Sequence, residues 1–346
     1  MLALAIIKMS KQKKSNANLG FGISLAVSGA IIGYLFWQLD WQIFFAQLKR
    51  VQPIYLLGIL VLEILCFYLR AIRWRYLLPT GLPVRTSSLF DALMIGFLGT
   101  FLLPLRAGEF IRPWVLSRTD NLPFSTCFAS VVTERAFDVL ALLALLGLSL
   151  SHIDVVPHWV SIGAQALAMV ALAVTVLMLV SYLKPNLILG LGNKIISILL
   201  EKRSPELCEK LSRMLSEFIT GLRAISSLYE LLMVLVLSFV VWLEISMMYQ
   251  VGMWAFGETP SLWVGIVINI MICLAVAAPS APGFIGTFQA GCVAALTGIY
   301  GYSQEFSVAF SIVEHTVQML AIFLVGFFCL NKLGLSVAQL RKQAAE

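Results

Sequence analysis

Six charged residues stand in or beside apolar stretches of this chain: Arg106, Glu109 and Arg112 in one group, Glu134, Arg135 and Asp138 in another. Placing a charge inside a bilayer costs about 2.5–3.5 kcal/mol on insertion scales, so each needs a partner or a wet cavity. Glu134 and Asp138 are four apart and share a helical face, with Arg135 beside them. The inventory, three cations against three carboxylates, fits two kinds of chemistry. One is an internal salt-bridge network that lets the charges survive burial. The other is a site for a zwitterionic or anionic lipid headgroup. There a phosphate would compete for Arg106 or Arg135, and the displaced carboxylate would hold an amine or hydroxyl.

A second set of candidates surrounds Pro279-Ser-Ala-Pro282-Gly283-Phe-Ile-Gly286. Its prolines and glycines break a helix and free backbone groups, which membranes tolerate only where protein buries them or they line water. Pro282, Gly283 and Gly286, with Gln289, Glu314 and His315 downstream, are therefore candidate walls of a substrate site. No Gly-Lys-Ser/Thr follows, so the break is not a P-loop. His315 could relay protons, bind phosphate or serve as a hydrogen-bonded structural imidazole. Glu63 and Glu244 stand alone in apolar runs and could each be a protonated acid facing the bundle, with a role in proton coupling. Arg70, Arg73 and Arg75 are expected to snorkel to headgroups.

Enzyme chemistry has less support. The six cysteines show no CxxC or other ligand spacing and read as packing thiols, and the three histidines, His152, His158 and His315, form no HExxH. No metal site, cofactor motif or nucleophile–base pair emerges, so the chain does not read as an enzyme.

The elements that must position these residues are membrane helices. The chain has 346 residues, 60% of them hydrophobic and 12% charged. A soluble domain would have about a quarter of its residues charged. The net charge of +6 falls in clusters between apolar runs, a pattern that sets membrane orientation and is not a nucleic-acid patch. Runs near 19–39, 53–69, 126–150, 159–183, 231–256 and 306–330 are long enough to span. Aromatic residues mark their ends, among them Trp37, Trp41, Trp74, Trp159, Trp254 and Tyr302. Two more apolar stretches, 88–105 and 261–278, run into Pro104 and into Pro279 and Pro282.

The Lys/Arg distribution favours a re-entrant 88–105. That choice keeps Arg106, Arg112 and Arg118 on the cytoplasmic side with 184–230, and leaves 151–158 outside. Residues 261–299 enter from outside and return, or cross twice. The reading is an all-α polytopic helix bundle forming one integral membrane domain over 1–346. It has six full spans, one or two re-entrant or broken hairpins, and both termini in the cytoplasm at a cell (inner) membrane. Residues 184–230 read as an amphipathic cytoplasmic helix lying on the membrane, with Leu207, Leu211, Leu215, Phe218 and Leu222 at three- and four-residue spacing. The amino terminus is too short in apolar residues for a signal peptide, and translation could start at Met1 or Met9.

GFLGTF at 96–101 returns as GFIGTF at 283–288, and Glu134-Arg135 in a polar span is echoed by Glu314-His315. Two such matches in the same order point to an inverted repeat, with units at about 86–150 and 261–330. Taken together, these residues resemble the lysylphosphatidylglycerol synthase transmembrane-region family, also described as flippase-like. The resemblance rests on Arg70-x-x-Arg73-Trp74, Pro104-Leu-Arg106-Ala-Gly108-Glu109-Phe-Ile-Arg112-Pro113, Glu134-Arg135-Ala-Phe-Asp138 and Pro279-Ser-Ala-Pro282-Gly283-Phe-Ile-Gly286-Thr-Phe288. Many members have Glu where Gln289 stands and Arg where His315 stands, which bears on substrate more than on fold. The resemblance implies lipid translocation in some members, and here a stand-alone member without the soluble aminoacyl-transferring domain. The expected function is translocation of a membrane lipid or lipid-linked precursor. The alternative is a non-catalytic partner or embedded enzyme of lipid modification or glycosylation.

Overall fold

The computed structural model describes residues 22–149, 184–200, 205–278 and 280–345, with isolated positions between 162 and 183. The amino-terminal residues to 21, the segment 151–158, most of the expected span 159–183 and Pro279 lie outside the described residues. Everything described is helix, turn or loop.

The first half runs α1 (Gly22–Trp37), α2 (Trp41–Lys49), α3 (Pro53–Tyr76), α4 (Thr86–Leu102), a short 3₁₀ turn (Pro104–Arg106), α5 (Gly108–Thr119) and α6 (Phe124–Ser149). Then follow α7 (Pro185–Leu200), α8 (Pro205–Leu222), α9 (Leu228–Ala255) and α10 (Leu262–Val276). A second 3₁₀ turn (Pro282–Phe284), α11 (Thr287–Leu296), α12 (Gln304–Lys332) and α13 (Val337–Ala345) complete the chain.

Local sequence sets the boundaries. Asp40 caps α2 by accepting from the amides of Gln42 and Ile43, Pro53 opens α3, and Ser227 with Glu230 forms a capping box at α9. α3, α9 and α12 are long and apolar enough to cross a membrane, and α1 with α2, bent by 94°, would make a fourth span. α6 has 26 residues but carries Glu134, Arg135 and Asp138. The described residues therefore supply three to four spans by length and composition, short of the six expected. The long helices expose apolar stripes outward, such as Leu57, Val61, Ile64 and Tyr68 on α3 and Leu320, Leu324 and Phe328 on α12. Lipid is the solvent that suits those faces.

The amphipathic segment is two helices, α7 and α8, and not the single helix expected. Ile219 and Leu222 of α8 pack on Ala129 of α6, while Leu187, Leu191, Ile195 and Ile198 form an exposed stripe on α7.

Two helical hairpins occupy the centre. α4 and α5 fold back on each other around glycines. A Cβ added at Gly108 would come within 2.0 Å of the Gly96 carbonyl oxygen, and one at Gly96 within 2.7 Å of Arg112 Cβ. α10 and α11 do likewise, Gly291 lying against Ile272. Contacts at the helix ends sort the chain into two poles. At one pole Lys332 pairs with Asp91 at 2.6 Å, Thr80 donates to Glu230 at 2.8 Å, and Ser125 is bonded to Glu217. At the other, the Gln52 amide donates to the Ala255 carbonyl at 2.8 Å, the Asp40 amide donates to Glu305 Oε1 at 3.3 Å, and Arg50 pairs with Glu258. The α4–α5 hairpin starts and ends at the first pole, the α10–α11 hairpin at the second.

The repeated hexapeptide does not mark equivalent backbone. GFLGTF lies wholly within α4, whereas GFIGTF straddles the second break. What corresponds in shape is Pro104-Leu-Arg106-Ala-Gly108 and Pro282-Gly-Phe284-Ile-Gly286. Each opens with a proline-led 3₁₀ turn, and the third residue sits at positive φ, 54° for Arg106 and 61° for Phe284. The two hexapeptides do meet. The rings of Phe101 and Phe284 are 6.2 Å apart, and a Cβ on Gly283 would come within 2.9 Å of Phe101 Cδ1.

Candidate functional site

Glu134 is the hub of a buried ion cluster. Arg112 from α5 donates to both of its oxygens, at 3.0 and 2.6 Å, a bidentate fork. Arg73 from α3 pairs with Glu134 at 2.9 Å and donates to Asp138 at 2.6 Å and Ser238 at 3.1 Å. Arg135 reaches Glu134 at 2.6 Å, Asp138 at 3.3 Å and Glu109 at 3.8 Å. Trp242 of α9 donates to Asp138 at 2.8 Å, and the Arg112 guanidinium lies 3.8 Å from the centre of the Trp74 ring. Arg73 and Glu134 are fully enclosed, whereas the side chains of Arg135 and Glu109 are 43% and 41% exposed. The cluster is enclosed by protein at its core and open at one edge.

The structure thus brings Glu109, Arg112, Glu134, Arg135 and Asp138 together, as the sequence suggested, but adds Arg73 and omits Arg106. The snorkelling expected of the arginines ending α3 is corrected for Arg70 and Arg73, while Arg75 stays exposed at the helix end. Arg73 is buried in the cluster, Arg70 is buried between Phe97 and Trp242, and Arg75 donates to the Val84 carbonyl. The Arg70-x-x-Arg73-Trp74 motif singles out Arg70 and Arg73 but not which of them is buried in the cluster; the α3 face turned to α6 decides that. With Arg73 counted, three arginines face three carboxylates and the cluster closes its own charge.

Arg106 stands elsewhere. It lies 5.1 Å over the Phe284 ring and, among the described residues, has no carboxylate within ion-pair distance. It lines a cavity of about 350 Å³ between the two breaks, with Ser24 of α1, Thr100, Ser280, Pro282 and Gly283. That volume falls at the lower end of small-ligand sites, roughly 300–1,000 Å³. Ser280 belongs to the break already read as a wall of the site, whereas Thr100 and Ser24 were not foreseen, since isolated hydroxyls in apolar runs carry no spacing signal.

The remaining candidates sit behind the second break. The Gly286 amide donates to Gln289 Oε1 at 2.7 Å, and Gln289 Nε2 is 3.1 Å from His315 Nδ1. His315 stacks on Phe288 at 4.3 Å, so both side chains brace the break. Gly286, with φ of 93°, lies against Ser28 of α1, whose hydroxyl accepts from the Ala281 amide at 2.8 Å. Glu314 turns away toward Gly252 of α9 and shares neither the cluster nor the cavity.

A helical bundle with a proline-broken hairpin at each pole and a buried charge cluster between them defines a polytopic membrane protein. The chain belongs to the lysylphosphatidylglycerol synthase TM region family, which it matches over residues 21–326. It is 26% identical over 307 residues to a UPF0104 membrane protein of Methanothermobacter thermautotrophicus, covering 84% of this chain and 89% of that protein. It is also 34% identical over 91 residues to the Glycosyltransferase AglD of Haloferax volcanii, covering 26% of this chain and 15% of that protein. No solved structure matches the chain.

Proposed function

We propose that this chain is not an enzyme and that it translocates a membrane lipid or lipid-linked precursor across a cell (inner) membrane, with both termini in the cytoplasm. The headgroup enters the cavity between the two helix breaks. One observation carries the reading: Arg106 is a guanidinium left over after the ion cluster has balanced itself, and it faces a cavity edged by hydroxyls and broken backbone. A planar fork in such a place suits the phosphate of an anionic or zwitterionic headgroup. Hairpins entering from opposite poles and meeting at their breaks support an inverted arrangement, in which a central site opens to either face in turn. Arg135 and Glu109, at the open edge of the cluster, are placed to take the headgroup's polar substituents as it moves.

The test is lipid movement in proteoliposomes holding the purified protein. Arg106→Gln is expected to lower the rate at least about tenfold, the worth of one charge-assisted contact, with unfolding temperature unchanged. Parent-like movement in Arg106→Gln overturns the site. The similarity to part of a glycosyltransferase favours a second reading, a membrane partner in lipid glycosylation. It predicts no movement of lipid by the purified protein alone.

A further inference from the structure

Among the described residues, three buried carboxyls outside the ion cluster and the cavity form no ion pair, whereas buried Asp91 is paired with Lys332. Glu63 on α3, Glu244 on α9 and Glu314 on α12 are 3%, 8% and 2% exposed. Neither oxygen of Glu244, nor Oε1 of Glu314, accepts a hydrogen bond from any described residue. Glu314 occupies a notch made by a missing side chain, since a Cβ on Gly252 would fall 1.5 Å from its Oε1. Glu63, Cys66 and Arg70 follow at i, i+3 and i+7 on one face of α3.

The charged and titratable groups facing this set can be taken helix by helix. On α3 they are Arg70 and Cys66, near Glu63 and Glu244. α9 contributes Tyr249, near both Glu63 and Glu314. α12 contributes Gln318 toward Glu63, while the neighbouring His315 is engaged with Gln289 and Phe288. α10 and α11 offer the thiols Cys273 and Cys292. From α6, Asp138 and Arg135 reach Arg70. Arg70, clamped between Phe97 and Trp242, is thus the cation beside Glu63 and Glu244, and it also lies near Asp138.

One guanidinium balances at most one carboxylate. Two more buried and unpaired anions would bear the full desolvation penalty, so charge balance asks for two further positive charges. No three His, Cys, Asp or Glu side chains among the described residues converge closely enough to hold a metal ion. The geometry points to a proton-binding site formed by Glu63, Glu244 and Glu314 around Arg70, separate from the headgroup cavity and exchanging protons with the medium. It does not depend on the lipid reading. Trp242 gives it a line to the ion cluster, because the same indole contacts Arg70 and donates to Asp138.

Infrared titration of the whole protein in nanodiscs tests the site. A carbonyl-stretch band of protonated, buried carboxylic acid is expected, lost reversibly as pH rises. It should weaken in Glu244→Gln and Glu314→Gln, each isosteric with the parent side chain, with elution and unfolding temperature checked alongside. Gly252→Ala, which fills the notch, should shift the part of the band lost in Glu314→Gln and leave the part lost in Glu244→Gln. A missing band, one that does not titrate, or one untouched by all three substitutions overturns the proposal. Loss of the band on adding sodium at constant pH also overturns it, in favour of a monovalent cation. Failure of the parent protein to move lipid would end the transport reading and leave this result standing.

Discussion

Glu134 meets three guanidiniums, from Arg73, Arg112 and Arg135, and these do not have equal weight. Truncating one side of a buried pair leaves the other charge stranded, at about 3–5 kcal/mol. Arg73→Gln should therefore cost about that much stability, read as a large fall in unfolding temperature in detergent; a fall equivalent to less than about 1 kcal/mol would mean the cluster is hydrated. Glu134→Gln, alone or with Arg135→Gln, would strand guanidiniums the same way, which makes Arg106 the cleaner probe of function. Glu134 and Asp138 were legible in the sequence because carboxylates inside an apolar run must be explained. Arg73 was not. Three arginines at a span's end look alike by composition, and only the packing of α3 against α6 and α9 decides which of them joins the cluster.

At the scale of elements, the α4–α5 hairpin depends on glycines that let two helices touch. A methyl at Gly108 would overlap the Gly96 carbonyl and Thr100 Oγ1, 2.0 and 2.1 Å away. Gly108→Ala should then force the helices apart at about 1–3 kcal/mol. Gly147 of α6 faces open space, and Gly147→Ala should be neutral or stabilise by about 0.5–1 kcal/mol. Thermal unfolding of the two variants checks the contrast, and equal behaviour would show that the hairpin is not tightly packed. The helices α3, α4, α6, α9, α10 and α12 were readable from apolar runs and proline breaks, whereas α2 and α13 were not. The repeat was readable only in part, because identical letters at 96–101 and 283–288 fall on different backbone. The correspondence that matters, a proline-led turn ending at glycine, is carried by two shared residues and by dihedral angles. The split of 184–230 into two helices was hidden because amphipathic spacing continues through both.

For the whole molecule, the two poles differ in charge as well as contacts. The pole holding the α3–α4 and α8–α9 connections and the carboxyl end carries Arg75, Arg85, Arg118, Lys210, Arg213, Arg223, Lys332, Arg341 and Lys342. The opposite pole has Lys49 and Arg50, with Glu258 and Glu305 beside them. Basic loops stay in the cytoplasm, so the first pole should be inside and the second outside. The α4–α5 hairpin then dips in from the cytoplasm and returns, consistent with α4 being 17 residues long, about 26 Å at 1.5 Å per residue, with α5 packed antiparallel on it. With native cysteines replaced, Thr119→Cys, exposed just before α6, should resist a membrane-impermeant thiol reagent in intact cells and react once the membrane is opened. Glu258→Cys, at the other pole, should react in intact cells, and so should His152→Cys. If Thr119→Cys reacts from outside while Glu258→Cys also does, α4 crosses the membrane fully, and the re-entrant hairpin and the two-pole arrangement built on it fall together.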